Sequence, residues 1–91
     1  MVQATPTVYI PTLNGGERLA ACLEALAGQT ADCEVVVADN GPGGGCAEMI
    51  GSRFPSVTRV SFNGRNLGFG PALNRAITAH GAGPVILLND D

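Results

Sequence analysis

The sequence predicts an α/β fold, a parallel sheet with helices on both faces, and three observations carry that prediction. Strand-like and helix-like segments alternate from one end of the chain to the other. The strand-like segments are short runs of branched aliphatics, the pattern of strands inside a parallel sheet. The connections between them are short, so right-handed crossovers leave few topologies open. The 91 residues make one small domain, with no internal repeat or interdomain linker.

Thr7-Val8-Tyr9-Ile10-Pro11 is the first strand. Leu19, Cys22, Leu23 and Leu26 recur at helical spacing, which predicts a first helix over Glu17–Ala27, closed by Gly28. Glu34–Ala38 is β-branched and reads as a central second strand. Asp39–Gly45 is a loop, because Gly-Pro-Gly-Gly-Gly holds no regular structure. A shorter helix over Cys46–Phe54 buries Ile50 with Ala47 or Met49. Val57–Phe62 alternates and predicts a third strand, at or near an edge. Asn63–Gly68 is a turn-rich loop, and Pro71 opens a third helix in its first turn. Leu73, Ala76, Ile77 and His80 share one face of that helix, which Gly81-Ala82-Gly83 ends. Val85-Ile86-Leu87-Leu88 is the fourth strand, an apolar run that reads as buried on both faces.

Composition excludes several classes. With 45% hydrophobic and 14% charged residues the chain is globular rather than disordered. A net charge of −3, with arginine but no lysine, argues against a nucleic-acid partner, since no basic cluster can track a phosphate backbone. No apolar run reaches the length of a membrane span. Met1–Pro6 lacks the basic and apolar regions of a signal peptide. Cys22, Cys33 and Cys46 are odd in number and fall at no metal-ligand spacing. They read as small buried or half-buried thiols in a reducing compartment, so a cytoplasmic protein is expected.

In this topology every strand's C-terminal end falls on one sheet edge, where open α/β sheets bind ligands. Thr12 and Asn14 follow the first strand, Asp39 and Asn40 the second, and Arg65 and Asn66 the third. Asn89, Asp90 and Asp91 follow the fourth. Asn14 is either a helix N-cap or a ligand contact. Asp39 either closes an Asx turn or accepts from a base N–H or a ribose hydroxyl. Gly68 and Gly70, ahead of a helix, let backbone amides approach a diphosphate, or form a plain loop-to-helix joint. Arg65 either neutralises phosphate or lies solvated at the surface, the latter preferred, and His80 reads as a helix C-terminal histidine. Asp90 and Asp91 repel one another and call for a cation or solvent. Mg²⁺ or Mn²⁺ typically takes such carboxylates together with substrate phosphate oxygens.

Taken in order, these residues resemble the family 2 glycosyltransferases of the GT-A fold. The likeness runs from Thr7 to Asp91 through Ile10-Pro11-Thr12-Leu13-Asn14, Cys22–Leu26 with Gln29-Thr30, and Val35–Gly41. It continues through Arg65–Gly70, Ala72–Ile77 and Val85–Asp91. Asn66-Leu67-Gly68-Phe69-Gly70 and Leu88-Asn89-Asp90-Asp91 look most like the rhamnosyltransferase-type branch. The resemblance implies a Rossmann-like three-layer α/β/α unit with strand order 3-2-1-4, the nucleotide-sugar-binding half of such an enzyme. It further implies that Pro11, Thr12 and Asn14 line a nucleoside pocket and that Asp39 contacts the base. Asn66, Gly68 and Asn74 would shape the loop and helix beside the ribose and diphosphate. Asp90 would lie near the ribose or sugar, and Asp91 would hold Mn²⁺ or Mg²⁺ at the DXD position. The implied reaction moves a sugar from a UDP- or dTDP-linked donor to an acceptor hydroxyl, with inversion.

The chain departs from the family pattern in three places. Asn89 replaces the first acid of the triplet. Pro42-Gly43-Gly44-Gly45 replaces polar residues after Asp39, so the second helix lacks a side-chain N-cap and a mobile loop is expected. The acceptor half and the catalytic base lie downstream of the DXD position in the family. The chain is therefore expected to be a fragment that binds donor weakly and catalyses nothing alone, with no catalytic residue of its own. The alternative is a non-catalytic nucleotide-binding or oligomerisation module, a homodimer through an exposed sheet edge. A dehydrogenase is disfavoured by the lack of a G-x-G-x-x-G turn, and a nucleotidyltransferase by a loop without a basic residue before Arg18.

Overall fold

Strand and helix alternate throughout the computed structural model: β1 (Thr7–Thr12), α1 (Glu17–Ala27), β2 (Glu34–Asp39), α2 (Gly45–Arg53), β3 (Thr58–Ser61), α3 (Phe69–His80) and β4 (Val85–Leu87). The structure describes residues 5–13, 15–28, 33–41, 45–61, 65–80 and 83–88, except for the side chains of Phe69 and His80. The strands form one four-stranded parallel sheet in the order β3-β2-β1-β4. This is the predicted α/β architecture and the predicted strand order, a Rossmann-like unit.

Period-two alternation splits β1 and β2 between two cores. Val8, Ile10 and Val37 face one side, where Leu19 and Leu23 of α1 and Cys46 and Ile50 of α2 cover them. Tyr9, Val36 and Ala38 face the other, under Ala72, Leu73 and Ala76 of α3. Helices thus lie on both faces, as the element order requires. Burying an aliphatic of this size contributes about 1.5–3 kcal/mol, so the two cores together hold the sheet between its helices.

The helices start and stop for local reasons. α1 is rich in Ala, Leu and Glu, strong helix formers, with Glu17 in the first turn. Its N-cap is Gly16, which makes no side-chain cap bond. Gly28 closes it in a right-handed conformation (φ −82°), donating its N–H to the Glu24 carbonyl at 3.2 Å, rather than in the left-handed form that usually makes glycine a terminator. α2 is tied to α1 through Arg53, whose guanidinium reaches Glu24 at 2.8 Å and Glu17 at 3.6 Å. These pairs are exposed and worth at most about 1 kcal/mol. α3 begins at Phe69, ahead of the predicted start, and Pro71 lies in its first turn, where no N–H needs an intrahelical acceptor. No helix among the described residues is long and apolar enough to cross a membrane.

One expectation is corrected. β4 was expected to be buried on both faces, but Val85, Ile86 and Leu87 are 45–57% exposed and Leu88 is 38% exposed. β4 is the outer strand beside β1, and α3 packs against β1 and β2 instead. An apolar run reports what a strand could bury, and its place in the sheet decides what is buried. β3 does lie at an edge, as expected.

Candidate functional site

The C-terminal ends of β1 and β2 meet in register, Thr12 beside Asp39. Both residues are buried, each 3% exposed, and both face α2. Thr12 Oγ1 accepts the Gly15 N–H at 3.0 Å, which turns the chain from β1 toward α1. Gly15 has φ +61°, and a Cβ there would come within 2.5 Å of the Cys46 Cβ. Only glycine allows this turn and lets the start of α2 pack so closely. Gly41 is constrained too, because a Cβ on it would run into the Leu13 carbonyl oxygen. The loops after β1 and β2 are thus in backbone contact.

Asp39 has a protein partner on each carboxylate oxygen. Its Oδ1 accepts the Gly41 N–H at 3.1 Å, an Asx turn. Its Oδ2 accepts from Arg59 Nε at 2.9 Å and lies 2.9 Å from Arg59 Nη2 as an ion pair. The Asx-turn reading of Asp39 describes its observed geometry. Cys46 lies next to this pair. Burial first, and then the Asp39 charge, pushes its thiol up from 9.0 to about 11, opposed by Arg59. A thiol so protonated is a poor nucleophile at neutral pH. Cys22 and Cys33 are half-buried and Cys46 is buried, as expected, and none is in a disulfide.

On the other side of the sheet edge a second polar group forms. Asn40 continues past β2, its N–H bonded to the Thr12 carbonyl at 2.8 Å. Its Nδ2 donates to Asn66 Oδ1 at 2.8 Å, and its Oδ1 accepts the Leu67 N–H at 2.7 Å. Asn66 Oδ1 also accepts the Gly68 N–H at 2.9 Å. Gly68, at φ +83°, offers its carbonyl to the Ala72 N–H at 3.2 Å and so caps α3. The start of α3 is thereby tied to Asn40 at the end of β2, and a helix N-terminus at the strand ends is suited to an anion.

The predicted site residues therefore separate into groups. Pro11, Thr12 and Asp39 are buried at the strand ends, while Asn66 and Gly68 are exposed on the loop before α3. Asn74 is exposed further along α3, and Arg65 is exposed as expected. Asn14, Asp90 and Asp91, with Asn89, lie outside the described residues, as do positions 42–44 of the loop expected to be mobile. Gly41, the residue before them, is buried and bonded to Asp39. Among the described residues no group of three or more His, Cys, Asp or Glu could hold a metal ion. Sequence reasoning did not single out Arg59, or Leu13, which is 51% exposed at the rim. A shallow pocket lined by Cys33, Glu34, Val35 and Ser56–Thr58 lies at the opposite edge, where β2 and β3 begin.

Doubly wound parallel units that gather polar loops at their strand C-termini beside a helix N-terminus form a class of nucleotide-binding folds. Within that class this chain belongs to glycosyl transferase family 2, whose model matches residues 7–91. Its function thus falls within glycosyl transfer in general, with a nucleotide-sugar as the class of donor. No curated relative matches the chain.

Proposed function

We propose that the rim formed by the ends of β1 and β2 and the start of α3 binds the nucleoside diphosphate of a UDP- or dTDP-linked sugar. The reading extends to transfer of that sugar, with inversion, to an acceptor hydroxyl, in the manner of the rhamnosyltransferase-type branch. One observation carries most of it: within a chain of this family, the Asn66–Gly68 loop is bonded to Asn40 at the end of β2 and leads into α3. Pro11, Thr12 and Asp39 would shape the floor of the nucleoside pocket, with Asn14 and exposed Leu13 nearer the base. Gly68 and the α3 amides would face the diphosphate, with Asn74 beside it.

Asp91, with Asp90 beside it, offers hard oxygen donors suited to Mn²⁺ or Mg²⁺. Such a cation, when bound, supplies Lewis-acid neutralisation of charge on the departing diphosphate. Asp90 would lie toward the ribose or sugar. The protein itself is acidic (net charge −3), so a dianionic ligand needs that compensation. Three cysteines outside any disulfide are consistent with the proposed cytoplasmic location. Isothermal titration with UDP and dTDP, with and without Mn²⁺, tests the reading. Metal-dependent binding of either nucleotide is expected, weakened about tenfold or more by Asp91→Asn. No heat at millimolar nucleotide refutes it.

A second reading is favoured by β4. Its consecutive exposed aliphatics suit an assembly surface, and a homodimer through that edge would make the chain a nucleotide-binding or oligomerisation module.

A further inference from the structure

The rim contains a hydrogen-bonded latch whose assignment is forced by two backbone donors. The Gly68 N–H can only donate, so Asn66 must turn its oxygen toward it, at 2.9 Å. That oxygen then meets Asn40 at 2.8 Å, so Asn40 must present its Nδ2 there. Asn40 Oδ1 is left for the Leu67 N–H at 2.7 Å, which likewise can only donate. Asn40 is 7% exposed, and both ends of its amide are consumed. The order of donors and acceptors therefore runs one way across a gap of 26 residues in sequence. Leucine at position 40 would come close to Asn40 in size but lacks both the donor and the acceptor that this order demands.

We propose that Asn40 is a positioning residue that fixes the diphosphate-facing loop and the N-terminus of α3 before ligand arrives. The inference rests on the donor-binding reading above. Asn40 is anchored at the end of β2 by its own N–H on Thr12, so it transmits the sheet's position to Leu67 and Gly68. Gly68 in turn caps α3 through its carbonyl. A loop held in its bound form loses less entropy on binding, so the latch contributes affinity without touching ligand. Its effect belongs to ligands that carry phosphate and is absent for those that carry only base and ribose.

Asn40→Leu, uncharged and close to Asn40 in size, separates this role from general damage without adding charge beside the diphosphate. With wild type binding UDP in Mn²⁺, the variant is expected to bind UDP about tenfold more weakly and uridine within about twofold of wild type. Equal weakening for UDP and uridine, or UDP binding unchanged, overturns the positioning role and leaves the donor reading intact. Wild type that fails to bind UDP removes both. Amide exchange in unliganded wild type gives a check independent of any variant. The Leu67 and Gly68 amides are expected to exchange at least about tenfold more slowly than that of Arg65 on the same loop. Equal exchange at all of these positions overturns the latch.

Discussion

Asp39 and Arg59 form the most consequential pair at the scale of single residues. Asp39 is buried, and the Arg59 side chain is 28% exposed. Removing one partner from such a pair leaves an uncompensated charge, which is typically far worse than losing both. Arg59→Met is therefore expected to lower unfolding free energy by about 3 kcal/mol, and adding Asp39→Asn should restore much of that loss. Denaturant unfolding of both single variants and the double variant measures it; additive losses would contradict the pairing. Cys46 gives a pH signature. Its folded value of about 11 lies above the ordinary 9.0, so its stabilisation is complete below about pH 9 and is lost as pH rises through about 11. The expected loss is on the order of 2 kcal/mol across that window, present in wild type and absent in Cys46→Ala. Parallel pH profiles for the two proteins would contradict it. Asp39 was legible as an Asx-turn former, but Arg59 was not legible as its partner. Strand alternation assigns Arg59 a face; only the register, Arg59 opposite Val37, brings it to Asp39.

At the scale of elements, helix and strand identity were open to reading because the periods are clear. Leu19, Leu23 and Leu26 mark α1 at helical spacing, and its bounds agree with the expected Glu17–Ala27. The start of α3 was read from Pro71, which is tolerated throughout a first turn and so fixes the boundary only loosely. β4 shows a different limit. Its aliphatics say strand, while its exposure depends on neighbours that do not include a helix overhead among the described residues. An apolar outer strand whose far edge is unpaired among the described residues favours self-association. Light scattering at high concentration is expected to show a dimer that Leu87→Lys converts to monomer. A wild-type monomer under those conditions would count against the β4 interface.

For the whole molecule, the fold follows from consistency between levels. Alternating elements, short connections and two apolar faces on β1 and β2 admit a parallel sheet with helices on both sides, and the strand order agrees. The site was legible only as a place, the common edge of the strand ends. Its wiring was not, since Asn40 and Asn66 become neighbours only after β2 and the loop before α3 are brought together. The central claim is that this edge, and no other part of the surface, receives a nucleoside diphosphate. Backbone amide shifts during titration with UDP and Mg²⁺ test it most directly. The account predicts perturbations concentrated at Leu13, Asn40–Gly41 and Leu67–Gly70. Perturbations centred instead on Cys33–Val35 and Ser56–Thr58, at the opposite edge, would contradict it.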